Sequence, residues 1–118
     1  MNEMLHDRMR IIQEIVPGKQ LTLVHLIANP DDNLYDKLGL EKKASSAIGI
    51  VTVTPAETAI ILGDISLKSS GVYLECVDRV SGTLIFTGTV SEVEAALHAL
   101  SDYAENKLKF EVCEMTKT

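Results

Sequence analysis

Ala47-Ile48-Gly49-Ile50-Val51-Thr52-Val53-Thr54-Pro55-Ala56-Glu57 opens the stretch, running on to Glu105, whose reading decides the fold. The β-branched run to Val53 reads as a strand, and Gly49 inside it marks a place where a helix or another backbone comes close. Thr54, Pro55 and Glu57 then supply a hydroxyl cap, a proline at the first helical position and a carboxylate three residues after the cap. This predicts a helix over residues 55–70. Ala59, Ile60, Ile61, Leu62, Ile65 and Leu67 fall on more than one of its faces, so it is expected to be covered on more than one side. In so small a chain the second cover is another subunit. Residues 72–77 and 83–89 read as strands joined by the turn-rich link Asp78-Arg79-Val80-Ser81-Gly82. Ser91-Glu92-Val93-Glu94 repeats the capping device, and Val93, Ala96, Leu97, Leu100 and Ala104 mark one apolar helix face. The order is βαββα, an α/β (α+β) arrangement with almost no residue in it that does chemistry.

Working outward, residues 21–28 are apolar on both faces, as in a strand buried on both sides of a helix-covered sheet. Asn29 caps, Pro30 opens and Gly39 closes a short helix carrying Leu34, Tyr35 and Leu38, followed by a polar connector over residues 41–46. Ile11, Ile12, Ile15 and Val16 surround Gln13-Glu14 and stop at Pro17-Gly18, which predicts a short strand outside the main core. At the other end Leu108, Phe110 and Val112 alternate with Lys107, Lys109 and Glu111, the pattern of a half-solvated strand.

At 118 residues the chain fits one domain, large enough to bury roughly 65% of its unfolded surface. A net charge of −6, an isoelectric point near 4.9 and only five Phe and Tyr residues without Trp argue against nucleic acid and anionic membranes as partners. Apolar runs such as Ala59-Ile60-Ile61-Leu62 are far below the ~20 residues that span a bilayer. Residues 1–10 are polar and lack the apolar core of a signal peptide, so the cytoplasm is the expected compartment.

The search for a reaction centre returns little. His6, His25 and His98 are scattered without metal-binding spacing, and His25 in its apolar strand reads as a hydrogen-bonded structural imidazole. Cys76 and Cys113 lack a CxxC pattern and read as small hydrophobes. No nucleophile pairs with a base, and neither a metal nor a cofactor is expected. Asp64 and Lys68 have the spacing of a solvated helix pair that leaves the ammonium available at the surface.

Several motifs nevertheless occur together in order: Ile12-Gln13-Glu14, Val16-Pro17-Gly18-Lys19-Gln20, Leu23-Val24-His25-Leu26-Ile27-Ala28-Asn29-Pro30, Ala47-Ile48-Gly49-Ile50, Thr54-Pro55, Asp78-Arg79, Ser81-Gly82 and the run from Cys113 to Thr118. With these the chain resembles the circularly permuted bacterial microcompartment (BMC) shell proteins of the EutS/PduU type. The resemblance implies a permuted ferredoxin-like βαββαβ domain over residues 10–118, with a flexible tail over residues 1–9. It also implies a cyclic homohexamer that tiles with other shell proteins around encapsulated enzymes of ethanolamine, propanediol or choline-type catabolism. Asp78, Arg79, Val80, Ser81 and Gly82 would line the six-fold pore, and Lys68 would sit at the hexamer edge. Ile11, Ile12, Gln13, Glu14 and Ile15 would form an axial barrel with their copies. Where relatives carry a glycine and a large apolar residue ahead of Asp-Arg, this chain has Glu75-Cys76, and Val80 stands where an aromatic is common.

The reading is thus a non-enzymatic shell hexamer with Ile61 and Ile65 in the subunit interface. Small polar metabolites would pass six Ser81 hydroxyls and nearby backbone groups. The other class the residues admit is an oligomeric ferredoxin-like domain that senses a small molecule.

Overall fold

The computed structural model describes residues 18–41 and 46–118. The tail over residues 1–9 and the barrel strand over residues 10–16 lie outside them. In chain order the elements are β1 (Gln20–Ile27), α1 (Asp32–Leu38), β2 (Ala47–Thr54), α2 (Thr58–Ser69), β3 (Tyr73–Asp78), β4 (Thr83–Gly88), α3 (Val90–Asn106), β5 (Glu111–Val112) and β6 (Thr116–Lys117). The sheet runs β3-β4-β2-β1-β5, with β6 also on the outer side of β1. Strands β3, β4, β2 and β1 are antiparallel, whereas β5 and β6 lie parallel to β1. The first strand therefore takes the place beside β2 that a strand following α3 holds in an unpermuted βαββαβ unit.

Alternation dictates where the core sits. Leu21, Val24 and Leu26 of β1, Val51 and Val53 of β2, and Leu84 and Phe86 of β4 point to one face, where Ala59, Leu62, Val93, Ala96, Leu97, Leu100 and Ala104 of the two long helices cover them. Gly49 lies between Leu26 and Phe86 in the ladder. A Cβ there would stand 2.6 Å from Val93 Cγ1, so the close approach expected at this glycine is that of α3. The expectation that β1 is buried on both faces does not hold. Both long helices pack on one side, which leaves Leu23 and Thr22 exposed and His25 half-buried on the other. Tyr35 and Ile48 are buried outside the main cluster, and the Tyr35 hydroxyl donates to the Ser46 carbonyl at 2.9 Å, tying α1 to the start of β2.

All three helices exist, but each starts later or caps differently than expected. Asp31, not Asn29, caps α1, its carboxylate accepting the Asn33 N–H at 2.9 Å, while Gly39 closes the helix with φ 72° as expected. Helix α2 begins at Thr58, because Thr54 remains in the β2 ladder opposite Gln20. Residues 55–57 accept its first N–H groups through their own carbonyls, at 3.0–3.1 Å, and no side chain caps it. Thr89, not Ser91, caps α3. Its hydroxyl accepts the Glu92 N–H while the Glu92 carboxylate accepts the Thr89 N–H, a closed capping box. The C-terminal alternation is right in burial but gives only two paired residues, Glu111 and Val112, because Lys109 turns the chain with φ 62°.

Crowding at Gly49 gives a stability prediction. Gly49→Ala is expected to cost about 1–3 kcal/mol by forcing α3 off the sheet. The cost should shrink when Val93→Ala is already present, and urea unfolding of the four-member cycle reads that coupling.

Candidate functional site

Asp78 closes β3 opposite Thr83 and organises the hairpin that follows. Its Oδ1 accepts the N–H groups of Val80 at 2.9 Å and Ser81 at 3.3 Å, and its carbonyl accepts the Gly82 N–H at 2.7 Å. The Val80 N–H foremost, with help from Ser81, holds the Asp78 carboxyl below the ordinary carboxylate value. Gly82 has φ 78°, and a Cβ there would lie 2.1 Å from the Val53 carbonyl oxygen, so this position admits no side chain. The Gly82 carbonyl in turn accepts the Val53 N–H at 2.9 Å. The hairpin is therefore pinned to the end of the central strand. Ser81 donates its hydroxyl to Thr83 Oγ1 at 2.9 Å, while Arg79 is exposed and Val80 stands 85% exposed at the tip.

A second feature is the outer face of α2. The side it buries is made of small groups and one leucine, Thr58, Ala59, Leu62, Gly63 and Ser66. Gly63 lets the helix settle onto β3, where a Cβ would come within 3.2 Å of Leu74 Cδ2. The large aliphatics point outward: Ile60 is 52% exposed, Ile61 44% and Leu67 48%, with Ile65 half-buried. Ile61 also borders a depression of about 270 Å³ with Lys19, Pro55, Thr58, Leu108 and Phe110. Lys68, in the last turn, pairs with Asp64 at 2.8 Å, and this hydrogen bond raises the lysine's pKa. Both side chains are exposed, as the i, i+4 spacing implies.

The other expected site residues are placed plainly. Both ring nitrogens of His25 meet threonine hydroxyls, Nδ1 that of Thr116 and Nε2 that of Thr118 at 2.9 Å, which makes it the structural imidazole expected. Those threonines belong to β6 and its flank, and no signal in the alternation of the sequence had marked them as a strand. Cys76 and Cys113 are free and half-buried. Among the described residues no group of three or more His, Cys, Asp or Glu is placed to hold a metal, and no helix is long and apolar enough to cross a membrane. Ile11, Ile12, Gln13, Glu14 and Ile15 lie outside the described residues.

A sheet with a permuted first strand, a stapled hairpin and an outward apolar helix face define a subunit built for assembly. The BMC domain family model matches residues 47–116, beginning at β2 and leaving β1 and α1 ahead of it. The shell protein EutS of Escherichia coli (strain K12) is 48% identical over 112 residues, covering 95% of this chain and 99% of the relative. PduU of Salmonella typhimurium (strain LT2) is 50% identical over 109 residues, covering 92% and 93%. Among solved structures, the CutR flat hexamer matches with a TM-score of 0.83 at 43% identity, covering 92% of this chain and 99% of that one. The CutR screw with a 41.9 Å pitch matches with a TM-score of 0.80 at 40% identity, covering 86% and 100%. The chain belongs to the BMC domain family. Its relatives EutS and PduU are bacterial microcompartment shell proteins, structural rather than enzymatic, and the permuted strand order is of their type.

The hairpin's dependence on Asp78 is testable. In Asp78→Ala the amides of Val80 and Ser81 should exchange with solvent severalfold faster, while that of Gly82, bonded to the residue 78 carbonyl, changes little. The depressed carboxyl fixes the sign of the pH effect: the staple is complete above the ordinary carboxylate value of 3.8 and weakens as pH falls through the depressed one. Hydrogen exchange of wild type and variant checks both.

Proposed function

We propose that residues 10–118 form one permuted shell domain that closes into a homohexamer and tiles with other shell proteins into a microcompartment wall in the bacterial cytoplasm. Encapsulated enzymes are its partners on the inner side. The observation that carries this reading is the inverted packing of α2, with small residues inward and Ile60, Ile61 and Leu67 outward. A monomer with such a face would leave several large aliphatic side chains of one helix open to water, and apolar faces of that kind mark interaction sites. A heterologous contact repeated around a six-fold axis covers it on every copy, with Ile61 and Ile65 inside. In that ring residues 78–82 surround the axial opening, Lys68 lies at the hexamer edge, and Ile11, Ile12, Gln13, Glu14 and Ile15 form a barrel over the opening. The matched CutR structures include a flat hexamer and a screw, so this subunit fold supports both flat and helical assemblies. Shape is then decided at the contacts between subunits.

Light scattering and negative-stain images of the purified chain test the proposal. Hexamers and extended arrays are expected, whereas a discrete dimer or tetramer would favour the sensing reading, and a single-chain mass would end the proposal. Replacing Ile61 or Ile65 by Asp should give monomers or insoluble material, because an unpaired charge in an apolar contact is costly. Unchanged hexamers from both variants would move the interface elsewhere. Lys68→Ala should leave the hexamer intact and change its tiling, since the long stem packs along a neighbouring edge while its ammonium reaches acceptors there. Arrays identical to wild type at the same salt would count against that role.

A further inference from the structure

Helix α2 meets the core with a smooth face. Ridges of large side chains seated in grooves ordinarily fix how far a helix lies along its neighbours, but α2 buries Thr58, Ala59, Gly63 and Ser66, with Leu62 the one large side chain among them. The Ser66 hydroxyl is used inside the helix, donating to the Gly63 carbonyl at 2.7 Å. No side chain caps the start of α2. Its far end is held differently. Ser70, in extended backbone, donates its hydroxyl across to the Glu92 carbonyl of α3 at 2.7 Å. At the next residue, Gly71, a Cβ would stand 2.6 Å from Glu92 Oε2, so the chain turns closely over the start of α3. Glu92 is itself fixed by the capping box with Thr89. The end of α2 is thus fastened to the firmest point of α3, while the rest of the helix rests on small groups.

We propose that Ser70 is a positioning residue for the contact between hexamers: by fastening α2 to Glu92 it sets the place at which Lys68, two residues earlier, meets the neighbouring edge. This rests on the hexameric reading with Lys68 at the rim. Lys68 Nζ pairs with Asp64 of the same helix at 2.8 Å, so its stem lies along α2 and the ammonium travels with the last turn. Helices at subunit contacts move by about 1–2 Å between arrangements, and a shift of that size in α2 carries Lys68 with it. The apolar contact through Ile61 within the ring is non-directional and tolerates such a shift. An ammonium that must reach particular acceptors does not, because hydrogen bonds weaken steeply with distance and angle. Repeated at six edges, the displacement changes the spacing or tilt between rings and leaves each ring whole.

The test uses the full-length chain, with sizing of each sample and electron-microscope measurement of array repeat and curvature at one salt concentration. Ser70→Ala should keep the hexamer mass while its arrays shift in repeat or curvature beyond the wild-type spread. Ser70→Thr, which keeps the hydroxyl, should restore the wild-type arrays. With Lys68→Ala already present, Ser70→Ala should add no further shift, because both act through one contact. Ser70→Ala arrays identical to wild type, a double variant showing the full sum of the two shifts, or loss of the hexamer in Ser70→Ala would each overturn the proposal. Arrays unchanged by Lys68→Ala would overturn the placing of that lysine at the edge, and a wild type without hexamers would overturn the assembly reading, so the three failures are told apart.

Discussion

The contact between Gly49 and Val93 is the constraint on which the rest of the subunit depends. Strand β2 is central, with β1 and β4 on either side, and only a residue without a side chain lets α3 lie flush on it. The capping box at Thr89 and Glu92 sets where α3 begins and so which residue arrives above Gly49. Glu92 works in more than one direction: its carbonyl accepts the Ser70 hydroxyl at 2.7 Å, joining the end of α2 to the start of α3. Its carboxylate also lies where a Cβ on Gly71 would be, at 2.6 Å. With α3 fixed, α2 fits beside it only by turning its small residues inward. The apolar outer face of α2 is thus a consequence of how the core is filled.

Much of this was legible in the sequence, because the strongest patterns come from burial. Val93, Ala96, Leu97, Leu100 and Ala104 recur at helical spacing since each must reach one sheet, and all five are buried. Gly49 was legible because a glycine weakens a β-branched strand and is kept there where a neighbouring element leaves no room for a side chain. Helix starts were less so. Thr54 has the chemistry of a cap, but its backbone pairs with Gln20, thirty-four residues earlier in the chain, and a local motif carries no information about a distant partner. The same limit hid β6, two residues long, whose pairing with His25 and Leu26 spans nearly the whole chain.

The hairpin shows a finer version of that limit. Its existence followed from Asp78-Arg79-Val80-Ser81-Gly82, but which side chains turn inward follows from hydrogen-bond geometry. Asp78 and Ser81 look like the polar residues of the loop, yet both satisfy the turn itself. Arg79, Val80 and Ser81 are all exposed at the tip. The membership of the chain in the BMC domain family rested on the order of many short motifs, and half-identity to EutS and PduU over nearly the full chain agrees with that reading.

The stretch from Cys113 to Thr118 lies along the outer side of β1, with Cys113 bonded to Leu21 and Thr118 bonded both to Leu26 and to Ala28. At the opposite side of the sheet, β3 is kinked by a register shift between Leu74 and Cys76. One margin is hemmed and the other is bent, and neither offers a straight backbone ladder to a neighbour. Subunits crowded together in a wall then meet through side chains, whose contacts dissolve and re-form far more readily than a zipped sheet. In a wall of such subunits a misplaced tile held by side chains alone would be free to leave its position again.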